Sequence, residues 1–247
     1  MAEKPQNDNS STNDALDGVL PLSYRVVTRD SEKQDALRLV ADSIAQQRQA
    51  ASAAIIFHPL CVAGLVAMCA GVYRQYKHAG YGTLMTMICG VVIVYLSFVR
   101  FYTSRYIELA EKFRWRDWTT RPDGKEDTII AAVFGEEIIG AVVLRLKGTE
   151  LNKKKGSAQA SSDGHGIIRA WTTKLRYRGK GVGSDLLHFA VQTTNRAFGP
   201  AASVEFAADH ANSANPLPDM FLRPFKRRQE KAAKALRQAL KDQGNPQ

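Results

Sequence analysis

Apolar and polar positions alternate along this chain with three distinct periods, and each period predicts a different kind of element. In SYRVVTRDS (23 to 31), Tyr24, Val26 and Thr28 fall on one face of a short strand. Ser31-Glu-Lys-Gln34 resembles a capping box that opens a helix running to about Ala50, with Leu37, Val40, Ala41 and Ile44 on its core side. Two long apolar runs follow, Ala53 to Tyr73 and Gly80 to Val99, each about 20 residues long without Asp, Glu, Lys or Arg. They predict a transmembrane hairpin with Ala63, Ala67 and Gly71 as a small-residue stripe between its helices; the alternative is a pair of buried helices. Phe101 to Trp118 reads as an amphipathic helix and Pro122-Asp123-Gly124 as a turn. TIIAAVF (128 to 134) and EIIGAVVLRL (137 to 146) predict an antiparallel hairpin turning at Gly135-Glu136. After a polar loop at 148 to 166 come a strand (166 to 175), a helix from Ser184 to Phe198, a strand (202 to 208) and a basic helix from Lys226 to Lys241.

The predicted fold class is therefore α/β with a mixed, mostly antiparallel sheet, interrupted by the apolar hairpin. The predicted divisions are a disordered tail at 1–22, a domain made of 23–52 and 100–221, the hairpin at 53–99, and the basic helix at 222–247. The first twenty residues are polar and carry no secretory signal. Lys and Arg outnumber Asp and Glu by 34 to 24, a formal charge of +10, which suits phosphate-bearing ligands, nucleic acid or an anionic membrane. Flanking Lys and Arg outnumber the two in the connector, Arg74 and Lys77, so both termini are expected in the cytosol, which would leave the sequon at Asn9 idle. Cys61, Cys69 and Cys89 lie in the apolar runs without metal-ligand spacing, so structural thiols are expected and no metal.

The most specific stretch is RYRGKGVG, Arg176 to Gly183, between a predicted strand and a predicted helix. A helix N-terminus offers unpaired N–H groups, and glycines let a phosphate approach the backbone, so a diphosphate suits this turn. The glycines run GxGxG, which fits neither the dinucleotide fingerprint nor the P-loop.

Arg178-Gly179-Lys180-Gly181-Val182-Gly183 resembles the acetyl-CoA signature of the GNAT acetyltransferases, and the order of elements around it is similar to that family's. The resemblance covers about residues 23 to 50 and 101 to 221. An apolar hairpin after the first helix is similar in layout to membrane-anchored members of the endoplasmic reticulum. The resemblance implies acetyl-CoA as cosubstrate, an endomembrane location, and transfer of acetyl to an amine on a small molecule, a lysine or a protein N-terminus. It places Gly179 to Gly183 on the pyrophosphate, with Arg178, and Lys180 or Arg176, beside it. Thr172 and Thr173 fall on the pantetheine, and Asn212 within hydrogen-bonding reach of CoA.

Ser213-Ala214-Asn215-Pro216-Leu217 matches a family stretch that ends in a Tyr acid, but Pro218 stands in that place. Candidate bases are Glu205, Asp209 and His210; His165 is a weaker one. The basic helix is expected either to pack on the domain by its narrow apolar side or to meet anionic membrane lipid; a nucleic-acid partner is not expected. Alternatives to the enzyme are a CoA-binding membrane sensor or scaffold without turnover, and a membrane-shaping hairpin.

Overall fold

The computed structural model describes residues 21–121, 123–148 and 164–244. The amino-terminal tail with Asn9, Pro122 of the expected turn and most of the loop at 148 to 166 lie outside the described residues. In chain order the elements are β1 (Leu22–Val26), α1 (Asp30–Ile56), α2 (Pro59–Tyr76), α3 (Tyr81–Thr103), α4 (Arg105–Glu111) and α5 (Trp115–Thr119). Then come β2 (Thr128–Phe134), β3 (Glu137–Lys147), β4 (His165–Thr173), α6 (Val182–Phe198), β5 (Ser203–Phe206) and α7 (Arg223–Gly244). Short 3₁₀ turns occupy Leu175–Tyr177 and Asp219–Phe221.

The five strands lie in the order β1-β2-β3-β4-β5, antiparallel except for the parallel β4–β5 pair. Strand side chains alternate between faces. Ile130, Ala132, Val142 and Leu144 meet Leu186, Leu187, Ala190 and Val191 of α6 and Leu236 and Ala239 of α7. Ile129, Ala131, Val133 and Val143 meet Ala36, Leu37 and Val40 of α1 on the other face. The basic helix thus packs on the domain through a narrow apolar side.

The structure departs from the sequence expectations at several places. No side chain caps α1, whose N-cap is Arg29, so the capping box does not form. The first helix does not stop near Ala50 but runs on to Ile56, and the first apolar helix begins only at Pro59. Proline has no N–H to donate, and its ring would collide with the carbonyl four residues back. The chain accordingly bends by 58° between α1 and α2, with Nδ1 of His58 accepting from the N–H of Leu60 at 3.3 Å. Ala63, Ala67 and Gly71 face outward, and space is open around Gly71; Leu65, Cys69, Val72 and Tyr76 form the half-buried side of α2. The stretch from Phe101 to Trp118 is the end of α3 followed by two short helices instead of one long one.

At the foot of the hairpin Ala51, Ile55, Val99, Tyr106, Leu217 and Phe225 form a third apolar cluster that ties it to the domain. Oγ of Ser52 lies 3.2 Å from Oγ1 of Thr103, and the Tyr95 hydroxyl donates to the Ile56 carbonyl at 3.3 Å.

A buried carboxylate fixes the start of β2. Oδ1 of Asp127 accepts from Nε of Arg145 at 2.8 Å and from Nε of Arg121 at 3.2 Å. Its Oδ2 accepts from Arg145 at 3.0 Å and from Arg169 at 2.9 Å, and the side chain is wholly buried. Arg169 also donates to the Trp118 carbonyl and stacks 4.0 Å from the Trp118 ring centroid. Asp127→Ala would leave these largely buried guanidiniums without their anion. It is expected to destabilise the fold by about 3–5 kcal/mol, measured by urea unfolding in detergent.

Candidate active-site cleft

The two parallel strands part company halfway along β4. Their pairing runs only from His165 opposite Ser203 to Ile168 opposite Phe206. At that place the β3–β4 register shifts, Val143 facing Ala170 and Leu144 facing Ile168, which leaves Arg169 as the extra residue of a bulge. The Arg169 carbonyl is taken by the N–H of Ala211 at 2.8 Å. From Ala170 to Thr173, β4 has β3 on one edge and no strand on the other. Beside that open edge lies a cleft of about 970 Å³, walled by α1, the glycine turn, the segment after β5, and α7. Small-molecule and cofactor sites span about 300–1,000 Å³.

The glycine turn closes one end. Gly179 has φ +77° and Gly181 φ +89°, left-handed conformations that cost an L side chain about 1–2 kcal/mol. Gly181 is the N-cap of α6, and its carbonyl accepts from the N–H groups of Ser184 and Asp185 at 2.8 and 3.1 Å. The N–H groups of Val182 and Gly183 thus open the helix without intrahelical partners. Trp171 of β4 donates from Nε1 to the Gly183 carbonyl at 3.0 Å. A Cβ on Gly183 would stand 3.1 Å from the same indole, so strand and turn are in close contact.

Around this turn the positive charge is unevenly placed. Arg178 lines the cleft, donating from Nε to the Thr173 carbonyl at 3.0 Å and from its guanidinium to Oε1 of Gln46 at 2.9 Å. Burial, and then the nearby positive charge of Arg228, lower its pKa below that of a free guanidinium. Two guanidiniums face one cleft here, which favours an anion between them. Arg228 and Lys231 of α7 belong to the same wall. Lys180 sits 5.5 Å from the Tyr177 ring centroid, and neither it nor Arg176 is among the lining residues. Val182 buries its side chain in the core, so its backbone N–H is the group it can offer at the turn.

Thr172 and Thr173 line the open edge of β4. Asn212 lines the cleft as well; its side chain lies 3.3 Å from Oγ of Ser43, and its carbonyl accepts from Nε2 of Gln47 at 3.3 Å. Of the candidate bases, His210 is half-buried in the cleft wall. Burial lowers its pKa from 6.5, partly offset by a hydrogen bond that the ring donates to the Ala207 backbone and by the charge of Asp209, so the neutral ring is favoured. Glu205 is exposed on β5 and does not line the cleft. Asp209 is 81% exposed, 3.8 Å from the Arg169 guanidinium, and does not line it either. His165 is exposed at the far end of β4, beside Ser203. Pro218 caps the second 3₁₀ turn. Among the described residues no group of three or more His, Cys, Asp or Glu side chains could hold a metal.

Two contributions escaped the sequence reading. Ser43, Gln46 and Gln47 of α1 form one wall, and Arg228 and Lys231 of α7 another. A signal for the first was present: Ser43 and Gln47 stand four apart on the side of the helix that carries Val40 and Ile44, polar residues where apolar ones are expected.

A family model described as acetyltransferase (GNAT) family matches residues 93–215. No curated protein matches the chain. A crystal structure of a transcriptional regulator from Bacillus halodurans C-125 is 14% identical, covering 86% of this chain and 91% of that one. Its TM-score of 0.30 is too low to carry an argument.

Proposed function

We propose, from the match of residues 93–215 to the acetyltransferase (GNAT) family, that the protein transfers acetyl from acetyl-CoA to an amine while held in a membrane by α2 and α3. The observation that carries the cosubstrate assignment is the pair of left-handed glycines at the N-terminus of α6, with Arg178 and Arg228 facing one cleft beside it. The N–H groups of Val182 and Gly183 would hold the pyrophosphate, with Arg178 at its side. The pantetheine arm would lie along β4 at Thr172 and Thr173, where the strand edge is free.

In the reaction the amine nitrogen attacks the thioester carbonyl, the carbon–sulfur bond breaks, and the amine gives up a proton. His210, neutral and lining the cleft, is the group best placed to take it. The rate is therefore expected to be constant where His210 is neutral and to fall as pH drops through its pKa, below 6.5. His210→Ala should lower kcat about a hundredfold and remove that acid limb, read from pH–rate profiles.

Calorimetric titration with acetyl-CoA, followed by thiol release with a panel of amines, tests the assignment; absence of acetyl-CoA binding would sink it. A second reading, a CoA-binding sensor without turnover, draws on Pro218, which leaves the usual acid position without a hydroxyl. Binding without thiol release from any amine would favour that reading. The excess of Lys and Arg on the outer flanks supports a cytosolic catalytic domain, with the exposed cations of α7 available to anionic lipid.

A further inference from the structure

We propose that Gln47, with Ser43 and Asn212, forms the acceptor subsite of the cleft, and that this subsite takes a primary amine bearing no second positive charge. The proposal rests on the acetyl-transfer reading above.

The cleft is chemically divided. Its cations Arg178, Arg228 and Lys231 stand on the glycine turn and α7, where a phosphate-bearing ligand would be met. The wall made by α1 and the segment after β5 carries Ser43, Gln47, Asn212 and Asn215 beside His210, and the Arg178 guanidinium reaches it only at Gln46. Among the described residues no Asp or Glu lines any part of the cleft.

Within that wall one group is unfinished. Gln47 is 6% exposed and its Nε2 donates to the Asn212 carbonyl at 3.3 Å, which fixes the orientation of the amide. That leaves Oε1 buried with no hydrogen-bond donor. Buried acceptors are almost always paired, and for an acceptor on a residue that lines a cleft the donor comes from water or from a ligand that displaces it. Ser43 and Asn212 beside it contact each other only at 3.3 to 3.4 Å, long enough to exchange for a ligand.

A neutral amine meets this arrangement. One N–H given to Oε1 of Gln47 leaves the lone pair free to form the carbon–nitrogen bond as the carbon–sulfur bond breaks. The displaced thiolate takes up a proton, and the proton lost by nitrogen passes to His210 or water. Gln47 orients the nucleophile and moves no proton. A polyamine would instead bring extra ammonium groups into a wall that offers no carboxylate, and uncompensated buried charge is heavily disfavoured. A site that hydrogen-bonds its substrate also discriminates strongly, because a mismatched ligand leaves its polar groups unpaired.

The test uses the full-length protein in detergent, with acetyl-CoA binding measured by calorimetry and thiol release measured with glycinamide and with spermidine. Glycinamide is expected to show at least tenfold higher kcat/KM than spermidine. Gln47→Glu, which is isosteric and supplies a carboxylate, should reverse that order. Gln47→Ala should raise KM for glycinamide at least tenfold while leaving the Kd for acetyl-CoA unchanged. Spermidine used as well as glycinamide, an amine preference unaltered by Gln47→Glu, or thiol release with other amines but with neither of these two would overturn the subsite. Acetyl-CoA bound without thiol release from any amine, or failure to bind acetyl-CoA at all, would instead overturn the reading beneath it.

Discussion

Gly181→Glu is expected to eliminate acetyl-CoA binding, raising the Kd at least about a thousandfold, because it makes two independent changes at one atom. Gly181 has φ +89°, so any side chain pays about 1–2 kcal/mol for the left-handed conformation. The space around an added Cβ is otherwise open, with nothing within 4 Å, so steric overlap with the protein is not the cause. The second change is a carboxylate placed at the N-cap of α6, where the proposed pyrophosphate would sit. Like charges set against each other cost several kcal/mol, and each 1.4 kcal/mol is tenfold in affinity. Gly181→Ala separates the two effects, since it introduces the conformational cost without the charge. Thermal unfolding should show a similar loss of stability in both variants, and calorimetry should show the large loss of affinity only in the glutamate variant. Unchanged acetyl-CoA affinity in Gly181→Glu would remove the pyrophosphate from this turn.

The strand pattern was legible because its signals are local. TIIAAVF and EIIGAVVLRL are β-branched runs separated by two turn residues, and they appear as β2 and β3 with ends displaced by at most one residue. The glycine turn was legible for a related reason, since left-handed backbone selects glycine at particular positions. The walls of the cleft were not. Gln47 meets Asn212 across 165 residues of chain, and the pairing exists only because α1 crosses the sheet face that β4 presents at its bulge. Nor did the pattern of α7 reveal which cations face a ligand: Phe225, Leu236 and Ala239 set the rotation of the helix against its neighbours, and that rotation carries Arg228 and Lys231 to the cleft. The boundary between α1 and α2 was misplaced because apolar composition starts at Ala53, whereas the backbone changes direction only where Pro59 forces it to.

Replacing Ile93 and Val94 together with lysine is expected to move the protein from the carbonate-resistant membrane pellet to the supernatant. Both residues are near the middle of α3 and are 63% and 70% exposed. Tyr81–Glu111 is long and apolar enough to cross a membrane, and almost none of its apolar stretch is buried. At 1.5 Å per residue the 23 residues of α3 extend about 35 Å, against about 30 Å for a hydrocarbon core. The α1–α2 pair passes the same test only when taken together across its 58° bend, so α3 is the more decisive helix to alter. Two lysines at the centre of a span cost about 2.5–3.5 kcal/mol each. In water the same change would replace exposed apolar side chains by well-solvated ones at almost no cost, so the variant separates a lipid-facing helix from a water-facing one. Exposed apolar side chains run from Phe57 and Leu60 through Met85, Phe98 and Phe101. Release of the unaltered protein by carbonate would overturn the membrane reading, leaving this hairpin as a surface covered in some other way.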